Sequence, residues 1–247
     1  MRDAYFVTVF CGIETPDPDA LKAMHKDHNM MVPILEGIET LNRHGLEVVS
    51  GIIMGLDTDK PDTDKALLAF VDESRIPLLT INLLQALPKT PLWDRLEREN
   101  RLIDDETRDS NVDFLLPYDQ VISSWRKCME VAYQPEKLYA RYQHQVDFTY
   151  ANRMPLPSTA EQRTWANIRR GLIMLRKIFW KVGVLGDYRK VFWKFALSRL
   201  RNGDIESLIS VTLIAHHLIM FARAASGGQQ NASNYSVRLR EASVPAE

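Results

Sequence analysis

An alternation of strand and helix signals over residues 1–101 is the feature that most restricts the fold of this chain. Apolar runs with strand character occur at residues 4–10, 46–54 and 77–84. Helix signals separate them: Asp17 precedes Pro18 at a helix start, Gly45 ends a second helix, and Asp62 opens a third. Consecutive parallel strands need crossover connections, which are usually helices. The pattern therefore predicts an α/β fold with a parallel sheet.

The first strand is predicted to be fully buried. Its apolar residues include Phe6, Val7, Val9 and Phe10. A strand that is apolar nearly throughout is typical of a parallel sheet covered on both faces. We therefore expect all four of these side chains to lie in the core.

The strand signals end near Arg101, and from Tyr118 onward the sequence favours helices only. We predict three regions: a β/α region at 1–110, a helical domain at 111–225 and a disordered tail at 226–247. The tail is rich in Gly, Gln, Asn and Ser, which is a composition that cannot bury a core.

Charge divides the chain as well. Residues 1–150 hold 26 acidic and 16 basic residues, a balance of −10, whereas residues 151–247 hold 15 basic and 6 acidic ones, a balance of +9. Opposed halves of this kind suggest two regions with different partners. The two cysteines, Cys11 and Cys128, are far apart and suit a reducing compartment.

Candidate binding residues follow the carboxyl ends of the three predicted strands, the edge at which parallel β/α folds bind ligands. Gly12, Glu14 and Thr15 end the first, and a Gly-x-Ile-x-Gly sequence at 51–55 ends the second. Glycine in a buried strand marks a close approach of backbone or ligand. We expect the strip formed by Gly51, Ile53 and Gly55 to accept a planar ring, although packing alone would also explain the glycines.

These segments, in this order, resemble the second half of a radical S-adenosylmethionine (SAM) partial barrel. The sequences Gly-Ile-Glu-Thr at 12–15, Gly-x-Ile-x-Gly at 51–55 and Leu-Pro-Lys-Thr-Pro-Leu at 87–92 carry the resemblance. More narrowly, the chain is similar to cobalamin-binding radical SAM proteins related to hopanoid C-2 methylases. The segments at 111–117, 139–142 and 180–186 look like the extra C-terminal helical domain of that group.

The resemblance implies a partial SAM site. Gly12, Glu14 and Thr15 would lie near the ribose, Gly51, Ile53 and Gly55 near the adenine, and Gln85 on the strand that closes the pocket. It also implies a [4Fe-4S] cluster and cobalamin for full-length members. The Cys-x3-Cys-x2-Cys sequence that holds the cluster does not occur here, and neither does the cobalamin-binding segment. No catalytic residue and no metal ligand is assigned.

A basic and aromatic segment is the second candidate site. Residues 163–201 contain 11 Lys and Arg against a single acidic residue, Asp187, interleaved with Trp and Phe. Such a pattern suits an anionic membrane surface, binding of nucleic acid, or packing against the acidic half of the chain. The resemblance favours the membrane, through residues 158–225, and a lipid-like substrate without nucleic acid as partner.

Two functions remain open at this point. The first is a fragment of a cobalamin-dependent radical SAM methyltransferase acting on a lipid such as a hopanoid. The second is a non-enzymatic membrane-surface or structural module. For both we expect a cytoplasmic location, with peripheral contact at the inner membrane face, and self-association through the exposed edge of the first strand.

Overall fold

The computed structural model describes residues 1, 4–24, 26, 31–105, 107–154 and 164–227. Its sheet has three strands: β1 (Thr8–Glu14), β2 (Glu47–Met54) and β3 (Leu79–Leu83). They lie side by side in the order β1-β2-β3, and both pairings are parallel. The predicted α/β class, with three parallel strands and mostly helices around and after them, is confirmed.

Four helices accompany the strands: α1 (Pro18–Ala23), α2 (Ile34–Arg43), α3 (Thr63–Ser74) and α4 (Pro91–Arg98). Their limits follow local signals. The Asp17 side chain caps α1 by accepting a hydrogen bond from the backbone N–H of Asp19, and Thr90 caps α4 in the same way through Trp93. Gly45 follows α2 with φ +78°, the left-handed conformation that glycine adopts without strain.

Five further helices follow: α5 (Tyr118–Ala132), α6 (Pro135–His144), α7 (Trp165–Ile178), α8 (Arg189–Arg201) and α9 (Ile205–Ser226). Two of them widen into π-helix, α6 at Gln145–Thr149 and α7 at Phe179–Val184. A short 3-10 turn, Tyr150–Asn152, ends the first of these extensions. The predicted tail at 226–247 lies outside the described residues except for Ser226, which ends α9, and Gly227.

The two faces of the sheet have different surroundings. Side chains alternate along a strand, so β3 sends Leu79, Ile81 and Leu83 to one face, where they are buried. This covered face packs against helices, and the indole N–H of Trp125 in α5 donates a hydrogen bond of 2.8 Å to the carbonyl of Ile81. The strand register places the remaining side chains together on the open face: Phe10, Val49, Gly51, Ile53, Thr80 and Asn82.

The prediction that Phe6 and Phe10 are buried is wrong. Residue 10 lies in β1 on the open face and is 73% exposed, and Phe6 precedes the strand and is exposed as well. Val7 is also exposed, and only Val9 packs against the core. The described residues cover one face of the sheet and not both, and the apolar run could not show this. β1 is an edge of the described sheet, so its role in self-association stays a prediction.

The amino end of the sheet is closed by residues from the end of the α6 extension. Arg153 donates hydrogen bonds to the carbonyls of Gly45 and Val7 and to the carboxylate of Glu47. The Tyr150 hydroxyl also donates to Glu47, at 2.9 Å. Burial raises the pKa of Glu47, against the opposing effects of Tyr150 and Arg153. These contacts fasten the helical region to the amino end of the sheet.

Helix α9 is long and apolar enough to cross a membrane, with a mean hydropathy of 1.6. In this structure it packs against α5 and α8. Its buried side chains recur every three or four residues along one side: Leu208, Val211, Thr212, Ala215, Ile219, Ala222 and Ala225. It has the pattern of a helix that contributes one face to a folded core.

Candidate functional site

The carboxyl end of β1 contains a bulge. Cys11 pairs with Ser50 and Glu14 with Ile52, so β1 has one residue more than β2 over this stretch. The extra residue bends the strand and re-aims the side chains that follow. Glu14 takes a φ of +64°, which is strained for a residue with a side chain. Such strain is common at functional sites, and it falls on a residue that the sequence singles out for ligand binding.

Polar groups collect beyond this bulge. The Glu14 carboxylate accepts a hydrogen bond from Lys26 Nζ at 2.5 Å, and both side chains keep some solvent exposure. Thr15 is buried, and its hydroxyl accepts a hydrogen bond from the backbone N–H of Asp17. A carboxylate and a nearby ammonium group at the end of a strand can bind the hydroxyls of a sugar. Gly12, Glu14 and Thr15 thus lie together at the carboxyl end of β1.

On β2, Gly51 and Ile53 lie on the open face beside polar residues of β3. Gly51 pairs with Thr80 and Ile53 with Asn82. A Cβ atom on Gly51 would stand 3.1 Å from the Thr80 hydroxyl oxygen, so the Thr80 side chain lies close over this buried glycine. The Thr80 hydroxyl and the Asn82 amide, beside Ile53, are groups that can hydrogen-bond the edge of an aromatic base. Sequence reasoning did not select Thr80 and Asn82, although their alternation with Leu79, Ile81 and Leu83 is a readable signal.

Gly55 has a different environment. Its φ is +91°, and a Cβ atom there would stand 2.5 Å from the Phe114 ring. The backbone N–H groups of Gly55 and Leu56 both donate to the Asp59 carboxylate. Burial raises the pKa of Asp59, although these two hydrogen bonds act in the opposite direction. Phe114 and Asp59 therefore account for a glycine at this position, and its predicted place beside the adenine stays a prediction.

Asp57 forms the most highly charged cluster at this end. Its two carboxylate oxygens accept from Arg101 at 2.6 Å and from Arg95 at 2.8 Å. Burial by itself would raise the pKa of Asp57, but the hydrogen bonds and charges of Arg101 and Arg95 outweigh it and lower the pKa. The cluster fastens the loop after β2 to α4 and to the segment that follows α4. Each carboxylate oxygen of Asp57 has an arginine partner.

Gln85, the remaining predicted residue, links β3 to the loop before α5. Its amide N–H donates to the Asp109 carbonyl at 2.6 Å, and its amide oxygen accepts from the Asn111 backbone. The Asn111 side chain accepts a hydrogen bond from the Ala86 backbone N–H and donates one to the Ala86 carbonyl. Gln85 thus has a structural role here, and its assignment to a ligand pocket stays a prediction.

The residues present do not fit an iron–sulfur cluster of the kind that the resemblance implies. Three thiolates are needed, and the chain has two cysteines. Burial raises the pKa of Cys11, and it raises that of Cys128 to about 12, which disfavours the thiolate in both. Within the described ranges, three or more His, Cys, Asp or Glu side chains nowhere converge as metal ligands would.

Comparisons with known proteins identify a family and several relatives of this chain. Residues 90–231 match the family described as domain of unknown function DUF4070. The whole chain is 65% identical to a hopanoid C-2 methylase of Rhodopseudomonas palustris and covers 47% of that protein. It is also 29% identical, over 88% of its length, to an uncharacterized methyltransferase of Synechocystis sp., of which it covers 40%.

A more distant relative is the bacteriochlorophyllide d C-12(1)-methyltransferase of Chlorobaculum tepidum, 28% identical over 38% of this chain and covering 20% of that protein. No solved structure matches the chain significantly. The chain spans about half, or less, of the length of the curated relatives it matches. The resemblance to proteins related to hopanoid C-2 methylases is confirmed.

Proposed function

This chain belongs to the DUF4070 family, and on that premise we propose that it is part of a SAM-dependent methyltransferase that acts on a hopanoid or a similar polycyclic lipid. The observation that carries the proposal is the 65% identity to a hopanoid C-2 methylase along the whole chain. Two further relatives named as methyltransferases support the reaction class. We further propose that the sheet is one portion of a radical SAM partial barrel.

The open face and the carboxyl end of the sheet support a SAM site in this portion. In our proposal Glu14 and Thr15 bind the ribose hydroxyls, and the adenine lies at Gly51 and Ile53, next to the polar side chains of β3. Thr80 and Asn82 join this site, because their polar side chains lie beside Gly51 and Ile53 on the open face. SAM, when bound, supplies the methyl group or the radical that such enzymes use. The residues of this chain orient it and form one wall of its pocket.

We do not propose that residues of this chain hold an iron–sulfur cluster, because two cysteines do not supply the three thiolates that such a cluster needs. Cobalamin likewise enters only through the resemblance to cobalamin-binding radical SAM proteins. The second candidate is a module that binds a surface without catalysing a reaction. The experiments below separate the two.

The first experiment places this chain in the context of its relative. In the Rhodopseudomonas palustris hopanoid C-2 methylase, the matching 47% is replaced by this sequence, and methylated hopanoid is measured by mass spectrometry in cells that lack their own methylase. We expect the hybrid to methylate hopanoid. Gly51→Val should abolish methylation because the valine side chain would displace Thr80 and cover the part of β2 proposed for the adenine, whereas Gly37→Val, in α2 with open space around its Cβ position, should retain it.

A hybrid that is folded and expressed but methylates no hopanoid would contradict the proposed substrate. SAM binding by that same hybrid then reports on the site. Retained SAM binding would indicate a methyltransferase that acts on another substrate. Loss of SAM binding in the hybrid would favour the non-enzymatic module. For the 247-residue chain alone we expect weak SAM binding at most, since it supplies one wall of the pocket.

A further inference from the structure

A surface on α7 and its π-helical extension is exposed, apolar and basic at once. Before Ile178, no described side chain of α7 is buried. Leu172 is exposed, Trp180 is 61% exposed and Leu185 is 65% exposed. Exposed apolar side chains that form a contiguous patch often mark an interaction site, whereas single exposed ones need no explanation. We call residues 165–185 the basic apolar surface.

The positive charge of this surface is unopposed. Residues 164–186 contain five basic residues and no Asp or Glu. None of these five, Arg169, Arg170, Arg176, Lys177 and Lys181, forms an ion pair with a residue that the structure describes. The charges are thus available to an external anionic partner and do not serve to hold α7 against the acidic half of the chain.

Trp180 is directed toward solvent by the packing of the side chains beneath it. Phe179 stacks on Trp193 with ring centroids 5.4 Å apart, and the Trp193 indole N–H donates to the Gly183 carbonyl at 2.9 Å. Gly183 lies so close to Phe192 and Trp193 that any Cβ there would contact both rings. This packing fixes the π-helical segment, so that Trp180, on the other side, is directed to solvent.

Beside Trp180 lies an open groove of about 830 Å³. Its lining combines apolar and basic side chains: Leu172, Leu175, Phe179, Val184, Arg176 and Lys181. The volume lies within the range of small-molecule sites and is sufficient for part of an acyl chain. An apolar groove with positive charge beside it is complementary to a lipid that has an apolar chain and an anionic head group.

From these observations we propose that the basic apolar surface docks the protein on an anionic lipid bilayer. Trp180, Leu172 and Leu185 enter the interfacial region, and Arg176, Lys177 and Lys181 contact the lipid phosphates. A nucleic acid would use the charges but has no need of exposed leucines, and the surface offers several. The inference rests on this surface alone and does not depend on the substrate proposed above.

The test is co-sedimentation of the full 247-residue chain with phosphatidylcholine vesicles that contain about 30% phosphatidylglycerol. We expect binding that falls strongly in about 0.5 M salt, where charges are screened within a few ångström. The charge variant Arg176→Gln/Lys177→Gln/Lys181→Gln and the apolar variant Trp180→Ser/Leu185→Ser should each lower the partition coefficient at least about tenfold.

Matched controls remove the same groups elsewhere. Lys22→Gln/Lys60→Gln/Lys65→Gln removes three exposed charges from the acidic half, and Leu87→Ser/Leu115→Ser removes two exposed leucines, the second of which is as exposed as Leu185. Both controls should bind within about twofold of the parent chain. Circular dichroism and gel filtration establish that every variant is folded. As a second measurement, brominated lipid should quench the parent more than it quenches Trp180→Phe.

Three outcomes would overturn the proposal. The first is a folded parent chain that does not sediment with the anionic vesicles. The second is a loss of binding in the control variants equal to that in the test variants. The third is binding of duplex DNA, or formation of a dimer, that depends on the same residues while vesicles are ignored; that result would assign the surface to nucleic acid or to a second copy of the chain.

Discussion

The two faces of the sheet differ in what covers them: helices bury one face, and the described residues leave the other open. On the covered face, Leu79, Ile81 and Leu83 are buried against helices, and Trp125 secures the β3 backbone. On the open face, the intervening Thr80 and Asn82 are exposed, and the Thr80 side chain lies close to Gly51 of β2. Neighbouring residues of one strand thus have opposite surroundings, set only by the direction in which each side chain points.

The difference between the two faces predicts where substitutions affect folding and where they affect function. The covered face derives its stability from close packing, which tolerates little loss of volume. The open face contributes few buried contacts, so its residues are free to be chosen for a ligand. Glycine, threonine and asparagine there are poor contributors to a core but suitable for a binding surface.

The largest expected effect tests the comparison with two adjacent isoleucines of β2. Ile52 is fully buried on the covered face, and Ile53 is half-buried on the open face. We expect Ile52→Ala to lower the free energy of unfolding by about 3 kcal/mol, because it leaves a cavity, and Ile53→Ala to lower it by about 1 kcal/mol. Urea unfolding followed by circular dichroism measures both. Equal losses would mean that the open face is packed in solution.

A smaller effect is expected at Trp125. Trp125→Phe removes the indole N–H that donates to the Ile81 carbonyl and leaves that buried acceptor without its partner. We expect a loss of about 2 kcal/mol in the free energy of unfolding. The control Trp165→Phe, at an exposed position, should stay within about 0.5 kcal/mol of the parent. A parent-like stability for Trp125→Phe would show that the helix covers the sheet through apolar contacts alone.

The smallest effect concerns Asp57, at the edge where the two faces meet. Arg101 and Arg95 lower its pKa in the folded chain, so its contribution to stability is present above the unfolded value of about 3.9 and is lost as the pH falls through the folded value. Asp57→Asn should therefore reduce stability by less than about 1 kcal/mol at neutral pH, and the difference should vanish in acid.

Chemical unfolding between about pH 2 and pH 7 measures this convergence. Asp104→Asn is the control, because Asp104 is exposed and forms no ion pair with the described residues. The parent and the Asp57 variant should differ at neutral pH and coincide in acid. A constant difference across the range would contradict a role for the Asp57 charge.

The sequence by itself determined the order of elements and many of their limits. Asp17, Thr90 and Gly45 set helix ends through backbone geometry and hydrogen bonds within a few residues of themselves. The expectation that the strand ends meet at one edge also followed from sequence, because parallel strands have their carboxyl ends together. Such features depend on local interactions, which a short segment contains in full.

The tertiary structure decided which side chains face a neighbour and which face solvent. Phe10 reads as core but is exposed, and Gly55 packs against Phe114, which is 59 residues further along the chain. Trp180 and Trp193 look alike in the basic segment, yet one is exposed and the other fastens the π-helix. The physical reason is the same in each case: burial depends on partners distant in sequence, and no local pattern specifies them.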